Sequence, residues 1–125
     1  MEPRVTGIGG VFFKSSNPAA LQAWYADRLG ISFTQWGAMF DWADSVTAKG
    51  EGGTAFNIVE SGSKQFEGSF SINFRVNNLA ALIDRLIAKG DRMDPAGIQA
   101  YSYGKFCHTF DPDGNKVELW EPIDA

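Results

Sequence analysis

The chain has 125 residues, 44% hydrophobic and 21% charged, which is the balance of one ordinary globular domain over residues 1–125. Its net charge is −4 and no two basic residues are adjacent, so a phosphate-binding surface for nucleic acid is excluded. No apolar stretch nears the roughly 20 residues that cross a bilayer. The start Met1-Glu2-Pro3-Arg4 lacks a signal-peptide core, and Cys107 is the one cysteine, so no membrane partner and a cytoplasmic location are expected.

In chain order, the first predicted strand alternates Val11 and Phe13 with Gly10, Phe12 and Lys14, which implies one covered face and one open face. A helix opens at Asn17-Pro18, carries Leu21, Trp24, Tyr25 and Leu29 at helical spacing, and stops at Gly30. Short strands are predicted at about 31–36, 39–46 and 54–60. The pattern then recurs. Ile72, Phe74 and Val76 alternate with Ser71, Asn73 and Arg75, and a helix from Asn77-Asn78 to Gly90 places Leu79, Leu82, Ile83, Leu86 and Ile87 on one stripe. Strands at about 91–94, 99–110 and 116–121 follow, the last after a tight turn at Asp111-Pro112-Asp113-Gly114-Asn115.

An offset of 61 residues superimposes the halves, setting Gly10 on Ser71, Phe12 on Asn73, Lys14 on Arg75, Asn57 on Glu118 and Ile58 on Leu119. The expected fold class is α+β: two tandem β-α-β-β-β repeats, about 7–60 and 68–122, forming an open, curved mixed sheet around a cleft.

Three segments carry a family resemblance: Val11 through Lys14, Trp24-Tyr25-Ala26-Asp27-Arg28-Leu29-Gly30, and Phe110-Asp111-Pro112-Asp113-Gly114-Asn115-Lys116-Val117-Glu118-Leu119. Over residues 7–122 the chain resembles the vicinal oxygen chelate superfamily, which includes glyoxalase I, fosfomycin-resistance enzymes, extradiol dioxygenases and bleomycin-resistance proteins. The resemblance implies that the metal ligands of such proteins fall here on Gly10, Asn57, Ser71 and Glu118. Glu118 alone is a strong donor, so no metal and no cofactor are expected. Extradiol chemistry needs two histidines at one iron, and the chain has one. The resemblance also implies a homodimer.

Glu118 is expected to point into the cleft beside Trp120, as a general base or as an acceptor for a ligand donor, or else as an inherited carboxylate held by a hydrogen bond. By the fosfomycin-enzyme pattern, His108 and Phe106 face the same cavity, and a neutral histidine there is suited to shuttling protons. Lys14 matches the position of an anion-contacting arginine in glyoxalase I, and Arg75 is its repeat equivalent; both could equally be solvated charges. Asn57 and Asn73 are candidate polar contacts, and Phe12, Trp36, Trp42, Phe106 and Trp120 are candidate apolar walls. Tyr101-Ser102-Tyr103 reads as a loop with the option of closing over a ligand. Cys107 is expected in the core, facing away from His108. The expected function is binding of a small anionic or aromatic molecule without a metal. The alternative is a metal-independent lyase, isomerase or transferase using Glu118 and His108 for acid-base chemistry. A metal enzyme with a depleted ligand set is a third reading.

Overall fold

A computed structural model describes residues 2–42 and 52–123. Its elements run β1 (Val5–Ser15), α1 (Pro18–Leu29), β2 (Ala38–Asp41), β3 (Gly53–Glu60), β4 (Phe70–Val76), α2 (Leu79–Ala88), β5 (Gln99–Tyr101), β6 (Gly104–Phe110) and β7 (Lys116–Pro122). The class is α+β, with strands paired both parallel and antiparallel. The chain divides into two compact units. One is Gly9–Ser71; the other joins Ile72 onward to the residues up to Ile8.

In the Gly9–Ser71 unit, β3 lies between β1, its parallel partner, and β2, its antiparallel partner. Asn17 caps α1, its Oδ1 accepting from Ala20 N at 3.2 Å, Pro18 takes the first helical position, and Gly30 closes the helix in the left-handed conformation. Alternation in β1 turns Phe13 toward this helix, where it meets Tyr25 at 6.2 Å and Phe56 at 5.5 Å between ring centroids. Trp24 and Leu29 of the predicted helical stripe stay largely exposed. The strand predicted at 31–36 does not form. Thr34 and Gly37 exchange backbone hydrogen bonds and Thr34 Oγ1 accepts from Trp36 N, so the segment closes on itself as a turn. Of the strand predicted at 39–46, residues 39–41 fall in β2, Trp42 lies beyond its end, and 43–46 lie outside the described residues.

The other unit repeats the plan. Its strand order is β4-β7-β6-β5, with β4 and β7 parallel and the remaining pairs antiparallel. The repeat extends to register: Val11 pairs with Phe56 and Phe12 with Asn57, while Ile72 pairs with Val117 and Asn73 with Glu118. These are the same pairs moved by the offset read from the sequence. Val76, Leu79, Cys107 and Leu119 form the buried centre, with Phe74, Leu82, Ile83, Leu86, Met93 and Val117 packed around it. Cys107 therefore lies under α2, as expected. Ile87, placed on the same stripe by periodicity, is mostly exposed. The expected strand 91–94 is reduced to one bridge, Met93 to Thr109, and the expected strand 99–110 folds back at Ser102-Tyr103 into β5 and β6.

A side chain from β7 anchors α2. Asn78 caps the helix through Ala81 N, and Glu121 Oε1 accepts from Leu79 N at 2.8 Å while its other oxygen meets Lys105 Nζ at 3.4 Å. A carboxylate on a free N–H at the first turn also faces the positive end of the helix dipole. Glu121→Ala is expected to lower unfolding stability by about 1–2 kcal/mol, and Glu121→Gln by less. The measurement is the urea midpoint at unchanged slope; equal midpoints for wild type and Glu121→Ala would remove this anchor.

Candidate functional site

Period-two alternation sorts the residues of β4, β7 and β6 onto two faces. Val76, Leu119 and Cys107 take the face packed on α2, so Asn73, Arg75, Glu118, Trp120, His108 and Phe106 take the other. Register then sets them in two rows. Asn73 pairs with Glu118 and Glu118 with His108; two residues along, Arg75 pairs with Trp120 and Trp120 with Phe106.

The first row is a hydrogen-bonded chain across three strands. Asn73 Nδ2 donates to Glu118 Oε1 at 2.6 Å, and Glu118 Oε2 lies 2.9 Å from His108 Nε2. The Glu118 and His108 side chains are only 25% and 22% exposed. Burial pushes the Glu118 carboxyl up, but the hydrogen bonds from His108 and Asn73 outweigh it and hold the group below the usual glutamate range. An ionised carboxylate only accepts, which fixes the Asn73 amide with its nitrogen on Glu118 and puts a proton on His108 Nε2. The Asn73 carbonyl oxygen, in a residue 5% exposed, has no hydrogen-bond partner among the described residues.

The second row is aromatic. Phe106 stacks on Trp120, centroids 5.5 Å apart and planes 16° from parallel. Tyr101 and Tyr103, read from sequence as loop, both contact Phe106 edge-on at 5.8 and 5.9 Å. Tyr101, Tyr103 and Phe106 are spaced by two and then three residues, so no single period in the sequence joins them, and it is the hairpin that brings them together. The segment around Met93 holds β6 near His108 along the strand's edge: Asp94 N–H donates to His108 O, Thr109 Oγ1 donates to Arg92 O at 2.7 Å, and Asp94 pairs with Lys116 at 3.1 Å.

The remaining predicted residues lie in the Gly9–Ser71 unit. A Cβ on Gly10 would sit 2.6 Å from the Phe12 ring, so that ring lies over the glycine and the position tolerates no side chain as it stands. Lys14 Nζ lies 5.0 Å from the centre of the Phe66 ring. Asn57 Oδ1 accepts from Gln22 Nε2 on α1 at 3.2 Å and from Ile58 N at 2.9 Å. Trp42 Nε1 donates to Thr54 Oγ1 at 2.9 Å, and Trp36 is 81% exposed.

These environments bear on the family's metal positions. Phe12 fills the space beside Gly10, Asn57 offers an amide oxygen already accepting two bonds, and both Glu118 oxygens are engaged. Ser71 adds a hydroxyl. One carboxylate with an amide and a hydroxyl does not make the imidazole and carboxylate set that transition metals take, so the residues present do not fit that group.

The carboxylate row makes a pH prediction. With a folded pKa below its unfolded value near 4.3, Glu118 adds stability that is fully present above about pH 4.3 and is lost as pH falls through the lower folded value. Asp94 and Asp111 are also lowered, by hydrogen bonds from Ala96 and Lys116 and from Asn115 respectively, so wild type loses stability there for several reasons. Glu118→Gln should show a shallower fall in Tm between pH 6 and 3 than wild type; parallel curves would contradict the assignment.

No protein-family model matches the chain, and no curated protein matches it. Solved structures do. Methylmalonyl-CoA epimerase from Mycobacterium tuberculosis is 19% identical with a TM-score of 0.65, the match covering 95% of this chain and 89% of that one. A variant of the Streptomyces coelicolor epimerase in complex with 2-nitronate-propionyl-CoA is 16% identical with a TM-score of 0.67, covering 96% and 99%. The hypothetical protein BH1468 from Bacillus halodurans is 11% identical with a TM-score of 0.62, covering 100% and 98%. At these identities the likeness is one of fold alone: this chain has the α+β fold of the methylmalonyl-CoA epimerase structures.

Proposed function

We propose that the chain binds a small organic molecule, without a metal, on the face that carries the Asn73–Glu118–His108 row and the Phe106–Trp120 stack. The observation that carries this reading is the composition of that face. Three polar side chains linked by hydrogen bonds, one of them an ionised carboxylate, are costly to hold half-buried and add little to a core. The neighbouring stack offers a planar apolar surface, the pairing of a few fixed polar groups with aromatic walls that small-molecule sites use. The Streptomyces epimerase structure, which holds an acyl-CoA analogue, supports the same use of the fold. Arg75, in register with Trp120, gives the face a cation for a ligand that bears an anionic group. Pairing of two copies, expected from the family, belongs to this reading and is read from the mass in solution.

The Glu118–His108 contact favours a second reading, acid-base chemistry on the bound molecule. Here the roles differ from the sequence expectation. With both oxygens engaged, Glu118 orients the ring, and His108 carries the proton through Nδ1.

Thermal shift with four probes tests the binding reading. Naphthoate and naphthamide at about ten times their dissociation constants should stabilise by about 1.4 kcal/mol, several degrees in Tm. Cyclohexanecarboxylate and cyclohexanecarboxamide at equal concentration should give less than half of that shift. His108→Phe should weaken the naphthyl probes about tenfold, the loss of one hydrogen bond. No shift with either naphthyl probe, or equal shifts for planar and saturated rings, would reject it.

A further inference from the structure

Tyr101 and Tyr103 stack on each other with centroids 5.4 Å apart and planes 6° from parallel, yet they are 50% and 58% exposed. Two large rings held in one orientation and left open to solvent are not explained by the core, which lies on the opposite face of the sheet. Their geometry is fixed from three sides. Tyr101 pairs with Gly104 across the two-residue turn, both rings meet the edge of Phe106, and Ile123 N–H donates to Tyr103 O. Gly104 lets β7 approach closely, since a Cβ there would meet Glu121 O at 2.6 Å. The β6–β7 pairing sets Phe106 against Trp120, the turn sets the tyrosines against Phe106, and the rings run on as a ladder from Trp120 through Phe106 to the tyrosine pair.

We infer that the Tyr101–Tyr103 pair is a stacking subsite for a planar aromatic ring at the far end of an elongated ligand, whose hydrogen-bonding head lies on the Asn73–Glu118–His108 row. This rests on the binding reading above and extends it. His108 stands four residue steps along β6 from Gly104, and Tyr101 lies one strand further, so the two subsites are roughly 14 Å apart by strand rise and spacing. A bare naphthalene reaches one of them. A ring joined to its polar head by a flexible chain reaches both, with Phe106 and Trp120 supplying apolar contact between. Preordered rings lose little freedom on binding, so stacking there adds to affinity at small entropic cost.

The test uses ¹³C-tyrosine and ¹⁵N-histidine labels in the intact protein, with naphthamide and naphthylhexanamide as probes. The chain has three tyrosines and one histidine, and Tyr25, packed on Phe13 and Phe56, is the internal control. Naphthylhexanamide should shift Tyr101, Tyr103 and His108 together, leave Tyr25 unmoved, and bind at least about tenfold tighter than naphthamide. Replacing both tyrosines with Leu should remove that gain, and replacing both with Phe should keep affinity within about twofold, because the ring faces remain. If His108 shifts while Tyr101 and Tyr103 do not, the ring subsite is wrong and the binding reading stands. If none of the three shifts, both fall. A dimeric wild type that becomes monomeric in the Leu variant, with probe affinity unchanged, would overturn the subsite in favour of self-association.

Discussion

One carboxylate, taken mostly out of water and hydrogen-bonded at both oxygens, holds the polar row together. Glu118 sits on β7 between two neighbours in register, Asn73 on β4 and His108 on β6, and each of its oxygens has one of them. Burial alone would favour the neutral acid. The two bonds reverse that preference, so the row is held together by an anion whose removal leaves Asn73 and His108 without their shared acceptor.

That interaction exists because the second unit repeats the register of the first while changing the residues. The pair Phe12–Asn57 in one unit corresponds to Asn73–Glu118 in the other. Phe12 folds over Gly10, and Asn57 bonds Gln22 on α1. At the equivalent places the other unit has a buried amide against a carboxylate. One backbone plan thus carries an apolar cover in one copy and a polar row in the other. The fold fixes where such groups stand, and the side chains decide what they do.

Much of this was legible in the residues. Asn17 and Asn78 announced both helix starts, the alternation of Val11 with Phe12 and of Phe74 with Asn73 assigned the two faces, and the offset of 61 gave the register that the strands adopt. The segments that escaped prediction are those where side chains compete with strand pairing. Thr34 closes a turn through its hydroxyl, and the chain reverses at Ser102-Tyr103 where Gly104 admits the neighbouring backbone. Glu121 as the anchor of α2, and Gln22 as the partner of Asn57, are contacts between residues distant in sequence, and no local pattern encodes them. For Glu118 the spacing showed the face, and only the geometry showed which partners engage its two oxygens.

The most direct test of the central interaction is the protonation of the His108 ring nitrogens at neutral pH, read from long-range ¹⁵N–¹H spectra of histidine-labelled protein, in which this ring gives the only signals. An ionised Glu118 accepting from His108 requires a proton on Nε2. That result, with a changed Nε2 shift in Glu118→Gln, is the one predicted. A neutral ring protonated on Nδ1 alone, unaffected by that substitution, would contradict the account.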